Sequence, residues 1–123
     1  MKWLKPSPQL LETFEHLLPK TAGVDRRQMF GYPCGFFNGV WFMGCYQEND
    51  LVLRLSDQDR QEFLALPEAR QFEPMPGRAM REFVMVPQWM FDDEPQLQAW
   101  IAKSLEYSLT LPPPTKKKGK KKA

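Results

Sequence analysis

The sequence predicts a small α+β domain: an antiparallel meander sheet of about four to five strands, flanked by three helices and followed by a disordered basic C-terminal tail. Three observations predict it. Apolar residues recur at helical spacing near both ends of the chain, the middle breaks into short aromatic and branched runs punctuated by glycine, and Asn38-Gly39 joins two of those runs. The chain has 123 residues, of which 42% are apolar and 26% charged, with twelve prolines and two cysteines. That profile fits one soluble domain and excludes a spanning helix, a collagen-like or wholly disordered chain, and a disulfide-rich scaffold.

Ser7 followed by Pro8 reads as N-cap and first helical residue, and Leu10, Leu11, Phe14, Leu17 and Leu18 form one stripe, so a helix is expected from Pro8 to about Leu18. His16 lies off that stripe and reads as a solvated or locally bonded histidine. From Arg26 to Leu55 the apolar runs Met29-Phe30, Phe36-Phe37, Val40 to Met43 and Leu51 to Leu55 read as a meander. Pairing Phe37 with Val40 across the Asn38-Gly39 turn places Cys34, Phe36, Trp41, Met43 and Cys45 on one face, and Phe37, Val40, Phe42 and Tyr46 on the other. Both faces are then apolar, which calls for helices on both sides or for an interface with another chain. The same register sets Cys34 and Cys45 on a diagonal of ~7 to 8 Å, too long for a disulfide unless Gly35 or Gly44 introduces a bulge, so two reduced, buried thiols are expected.

Ser56 caps a second helix expected from Asp57 to about Leu66, where Pro67 ends it. A last strand is expected from about Met80 to Val86, and a third helix opens at Asp92-Asp93-Glu94-Pro95, runs on Leu97, Trp100, Ile101 and Leu105, and stops near Leu109. The acidic clusters Asp57-Gln58-Asp59 and Asp92-Asp93-Glu94 read as helix starts, where carboxylates complement the dipole, rather than as a catalytic carboxylate pair. The domain is therefore drawn as 1–111, and 112–123 as a proline spacer and Lys-rich tail.

The formal charge of +2 hides a segregation. Six of the seventeen basic residues are Lys116, Lys117, Lys118, Lys120, Lys121 and Lys122, so the other eleven face all fifteen acidic residues and the body is about −4. The lysine run has the chemistry of a weak, nonspecific nucleic-acid contact that strengthens as salt falls. A membrane is not expected as a partner, because no apolar or lipidated second anchor accompanies the charge. No secretory core follows Met1, which makes the cytoplasm the expected location.

Chemistry is sparse. No nucleophile elbow, phosphate loop, dinucleotide fingerprint or metal-ligand spacing is present, and one histidine with two separated cysteines supplies no metal or cofactor site. The polar segment from Pro74 to Arg81 is the exception, since Arg78 and Arg81, with Arg54, are candidates for holding an anionic ligand.

The runs RQMFGYPCGFFNG (Arg27 to Gly39), LVLRL (Leu51 to Leu55), FEPMPGR (Phe72 to Arg78) and MREFVMVP (Met80 to Pro87) resemble, in order, the N-terminal domain of the TfoX/Sxy competence-regulator family. The resemblance spans about Leu10 to Leu109. It implies a cytoplasmic bacterial protein with an antiparallel sheet flanked by helices, and it implies no catalytic residues. Members with a second domain are associated with competence regulation alongside a cyclic-AMP-responsive transcription activator; this chain, with its lysine tail, is similar to the single-domain members. Two readings follow. One is a non-enzymatic adaptor that binds a protein partner through the sheet or a loop, with the tail adding nucleic-acid attachment and a homodimer through an apolar face also compatible. The other is a small-molecule or nucleotide-binding protein using the Pro74 to Arg81 loop.

Overall fold

Ser7 opens the first helix as expected: its Oγ accepts from the Leu10 amide, Pro8 occupies the first turn, and α1 runs Pro8–Leu17 with Leu10, Phe14 and Leu17 buried. These details come from a computed structural model that describes residues 4–74, 77 and 80–112. Six strands follow α1: β1 (Val24–Met29), β2 (Tyr32–Phe37), β3 (Val40–Tyr46), β4 (Asp50–Arg54), β5 (Arg70–Gln71) and β6 (Phe83–Met85). They form one antiparallel sheet in the order β1-β2-β3-β4-β6-β5. The α+β class is as the sequence predicts, and the short edge strand β5 brings the sheet to six strands. Helix α2 (Asp57–Leu64) is capped by Ser56, whose Oγ accepts from the Asp59 amide. A 3₁₀ turn over Gln88–Asp92 leads into α3 (Glu94–Thr110), whose N-cap is Asp93. The acidic clusters thus sit at helix starts, and Asp57 also pairs with Arg60 at 2.9 Å.

Asn38-Gly39 makes the expected tight hairpin, with φ of +49° and +83° and with Phe37 paired to Val40. Two pairs further on, the ladder departs from the expected register. Phe36 pairs with Trp41, but Gly35 pairs with Met43, so Phe42 is an extra residue on β3. One inserted residue reverses the pleat beyond it. Cys34 consequently pairs with Gly44 instead of Met43, Met43 and Cys45 move to the face of Gly35, and Tyr46 joins Cys34 and Trp41. This corrects the face assignment read from the sequence. Two contacts hold the bulge. A Cβ at Gly35 would lie 2.7 Å from Leu18 Cδ1, so the glycine lets α1 approach closely, and the buried Ser104 hydroxyl of α3 donates to the Phe42 carbonyl at 2.7 Å.

Helices α1 and α3 pack on the sheet face that carries Gly35 and Met43, and the two helices meet where His16 Nε2 lies 2.9 Å from Glu94 Oε2. His16 is therefore an exposed side chain that bonds across to α3 rather than to its own neighbourhood in the chain. Helix α2 joins the same layer through Phe63, whose ring meets Trp100 edge-on at 5.0 Å. Among the described residues no helix packs on the opposite face. Two chain segments are tied to it: Tyr32 donates to the Leu4 carbonyl at 2.8 Å, and Tyr46 donates to the Pro74 carbonyl at 3.3 Å. The spacer and tail read from the sequence, apart from Pro112, fall outside the described residues.

Candidate functional site: an aromatic cavity beside the β1–β2 turn

The reversed pleat gathers aromatic rings on the helix-free face. Tyr32 and Tyr46, facing each other across β2 and β3, have ring centroids 5.7 Å apart; Tyr46 meets Phe72 at 4.8 Å, Phe72 meets Phe83 at 6.4 Å, and Phe83 meets Trp41 at 4.1 Å. A continuous arc of five rings results, in the tilted and edge-on geometries that aromatic pairs favour. The arc borders a cavity of about 110 Å³ walled by Tyr32, Cys34, Trp41, Tyr46, Val52 and Phe72, with Pro74 and Met80 also lining it.

The polar atoms of these walls are engaged with backbone. Besides the two tyrosine hydroxyls, Trp41 Nε1 donates to the Met43 carbonyl at 2.9 Å. Cys34 and Cys45, also at the cavity, are free thiols, as expected, and both are buried. Burial pushes each up to about 12, with Cys34 adding to the effect at Cys45, so neither is a thiolate at neutral pH. Burial also raises Tyr32. The site thus presents rings, a valine and neutral sulfur: it suits apolar contact rather than acid–base or nucleophilic chemistry.

Phe30, which is 81% exposed, also lines the cavity. Met29 pairs with Tyr32, leaving Phe30-Gly31 as a two-residue turn with φ of +56° and +84°. This is the same left-handed pair as Asn38-Gly39. Asparagine suits the first position of such a turn, whereas a bulky side chain there is disfavoured by ~1 kcal/mol or more. The protein holds an exposed aromatic ring where a polar residue would suit the backbone better.

Of the anion candidates, Arg54 and Arg81 are not among the residues that line this cavity. Arg54 Nε donates to Glu82 at 2.7 Å, its Nη1 donates to the Trp41 carbonyl at 3.2 Å, and its guanidinium lies 5.6 Å from the Phe83 ring centre. Tyr107 of α3 donates to the other Glu82 oxygen at 2.8 Å. Burial pushes Glu82 up, but the bonds from Tyr107 and Arg54 outweigh it and hold the carboxyl below its usual range. Arg81 is exposed and makes no ion pair among the described residues. Arg78, and Lys116, Lys117, Lys118, Lys120, Lys121 and Lys122, lie outside the described residues. The polar loop read from the sequence therefore contributes Pro74 and Met80 to an apolar wall. The features missed were the Phe30-Gly31 turn and the ring arc; the turn was signalled by a bulky residue before glycine between two strand-like runs, while the arc depends on the bulge.

Residues 3–108 match the family model described as TfoX N-terminal domain, which is nearly the whole of the folded body. The chain belongs to that family. No curated protein and no solved structure matches it. The family match agrees with the order of motifs along β1 to β6. Among the described residues no helix is long and apolar enough to cross a membrane.

Proposed function

We propose that this TfoX N-terminal domain is a non-enzymatic regulatory adaptor of the TfoX/Sxy type, acting in the bacterial cytoplasm by docking a protein partner on the helix-free face. Phe30 carries the reading. An aromatic ring that is 81% exposed stands on a turn whose backbone favours asparagine, so most of its surface faces outward where a partner's apolar pocket can meet it. The neighbouring rim is suited to a protein contact: Arg27 lies over the half-buried Phe36 ring at 5.0 Å, and the exposed β1 edge carries Asp25, Arg26 and Arg27. In this reading the Lys-rich tail adds weak, salt-sensitive attachment to nucleic acid, so that a modest protein contact and a modest electrostatic one reinforce each other. A role in transcription or competence regulation is part of the same proposal, and it rests on family membership.

Affinity capture from bacterial lysate separates the two contacts. The full chain, a version ending at Leu111, and Phe30→Asn are compared with and without nuclease. The adaptor reading expects one set of proteins retained on the shortened chain after nuclease and lost from Phe30→Asn. Retention unchanged by Phe30→Asn would overturn the assignment of the docking face.

A further inference from the structure

The cavity behind Phe30 has a chemistry that the adaptor reading does not use. We propose that it is a binding site for a small uncharged molecule built on one aromatic or aliphatic ring. Size sets the first limit. At about 110 Å³ the space is comparable to the ~150 Å³ apolar cavity that stays dry and takes up benzene or xenon, so one ring fits and a nucleotide or a fused polycycle does not.

Polarity sets the second limit. The Tyr32 and Tyr46 hydroxyls and the Trp41 indole N–H already donate to the backbone carbonyls of Leu4, Pro74 and Met43, and the thiols are neutral. A charged group entering these walls would lose its hydration with nothing offered in return. A neutral ring instead meets the faces and edges of Trp41, Tyr46 and Phe72, with Cys34 sulfur and the Val52 methyls beneath. Access is the third feature, since the lining includes Phe30, which is 81% exposed, and the cavity sits on the helix-free face, so a ligand need not cross the helix layer. A ligand seated there would touch β2, β3, β4 and the Phe72 and Met80 segments together.

The test uses the full chain and benzene as the probe. Titration followed by methyl NMR is expected to show saturable shifts at Val52, Met29 and Met80 while Leu10 and Leu97, in the helix layer, stay unmoved. At ten times its dissociation constant, benzene is expected to raise the folding equilibrium about eleven-fold, seen as a melting temperature higher by about 5 °C. Cys34→Met puts a longer chain into the space and is expected to weaken benzene at least about ten-fold, while Val52→Ala widens it and is expected to shift preference toward toluene. Absence of saturable binding to the unaltered protein, shifts spread over the helix layer, or the same affinities in Val52→Ala would each overturn the proposal, even if Cys34→Met does not fold.

Discussion

Replacing Phe30 by asparagine puts the docking assignment into numbers. A phenylalanine side chain buries about 150 to 250 Å² when fully enclosed, and Phe30 is 81% exposed, so the fold buries about 40 Å² of it. At about 25 cal/mol per Å² that burial contributes about 1 kcal/mol. Against it stands the left-handed backbone at φ +56°, which is unfavourable for a bulky residue by about 1 to 2 kcal/mol and less so for asparagine. The two effects nearly cancel. Phe30→Asn is therefore expected to change unfolding free energy by less than about 1 kcal/mol in urea denaturation with unchanged slope, while abolishing partner retention. A loss above about 2 kcal/mol would show that the ring supports the fold, and the argument from exposure would fail.

Three further expectations follow from contacts elsewhere. Ser104→Ala removes the hydroxyl that donates to the carbonyl of the bulged Phe42, in a fully buried position, and is expected to lower stability by about 1 to 3 kcal/mol, read by urea denaturation. Glu82 is held below its usual range in the folded state, so its contribution is fully present above the unfolded value and is lost as pH falls through the folded one. Tyr107→Phe removes one of the bonds that lowers Glu82, so the stability gap between native chain and variant should be constant near neutrality and close below about pH 4. The thiols of Cys34 and Cys45, both near 12, should resist iodoacetamide at pH 8 in the native state and react promptly in urea; rapid native labelling would contradict their burial.

Local signals made the elements legible. Ser7-Pro8, Ser56 and Asp93 each mark a helix start through a short side chain that accepts a backbone N–H, and Asn38-Gly39 marks a hairpin because both residues tolerate positive φ. These are properties of adjacent residues. The faces of the sheet were not legible in the same way, because Phe42 becomes an extra residue only through Leu18 packing on Gly35 and Ser104 bonding to its carbonyl, contacts made by distant parts of the chain. The single shift decides that Tyr46 rather than Met43 joins Cys34 and Trp41, and with it the ring arc and the cavity. Arg78 and Arg81 stand out by charge in a polar loop and Arg54 by charge on a strand, yet Arg54 is occupied by Glu82 from the region beside it. Sequence separation of 28 residues between those two partners hid that pairing.

Site-specific photo-crosslinking tests the docking claim most directly. A photoreactive phenylalanine analogue placed at position 30 of the full chain, and in a separate protein at the exposed Glu12 of α1, is irradiated in bacterial cells and the products are separated by mass. The account predicts a discrete crosslinked species from position 30, resistant to nuclease and absent from position 12. No product at position 30, or the same products from both positions, would contradict it.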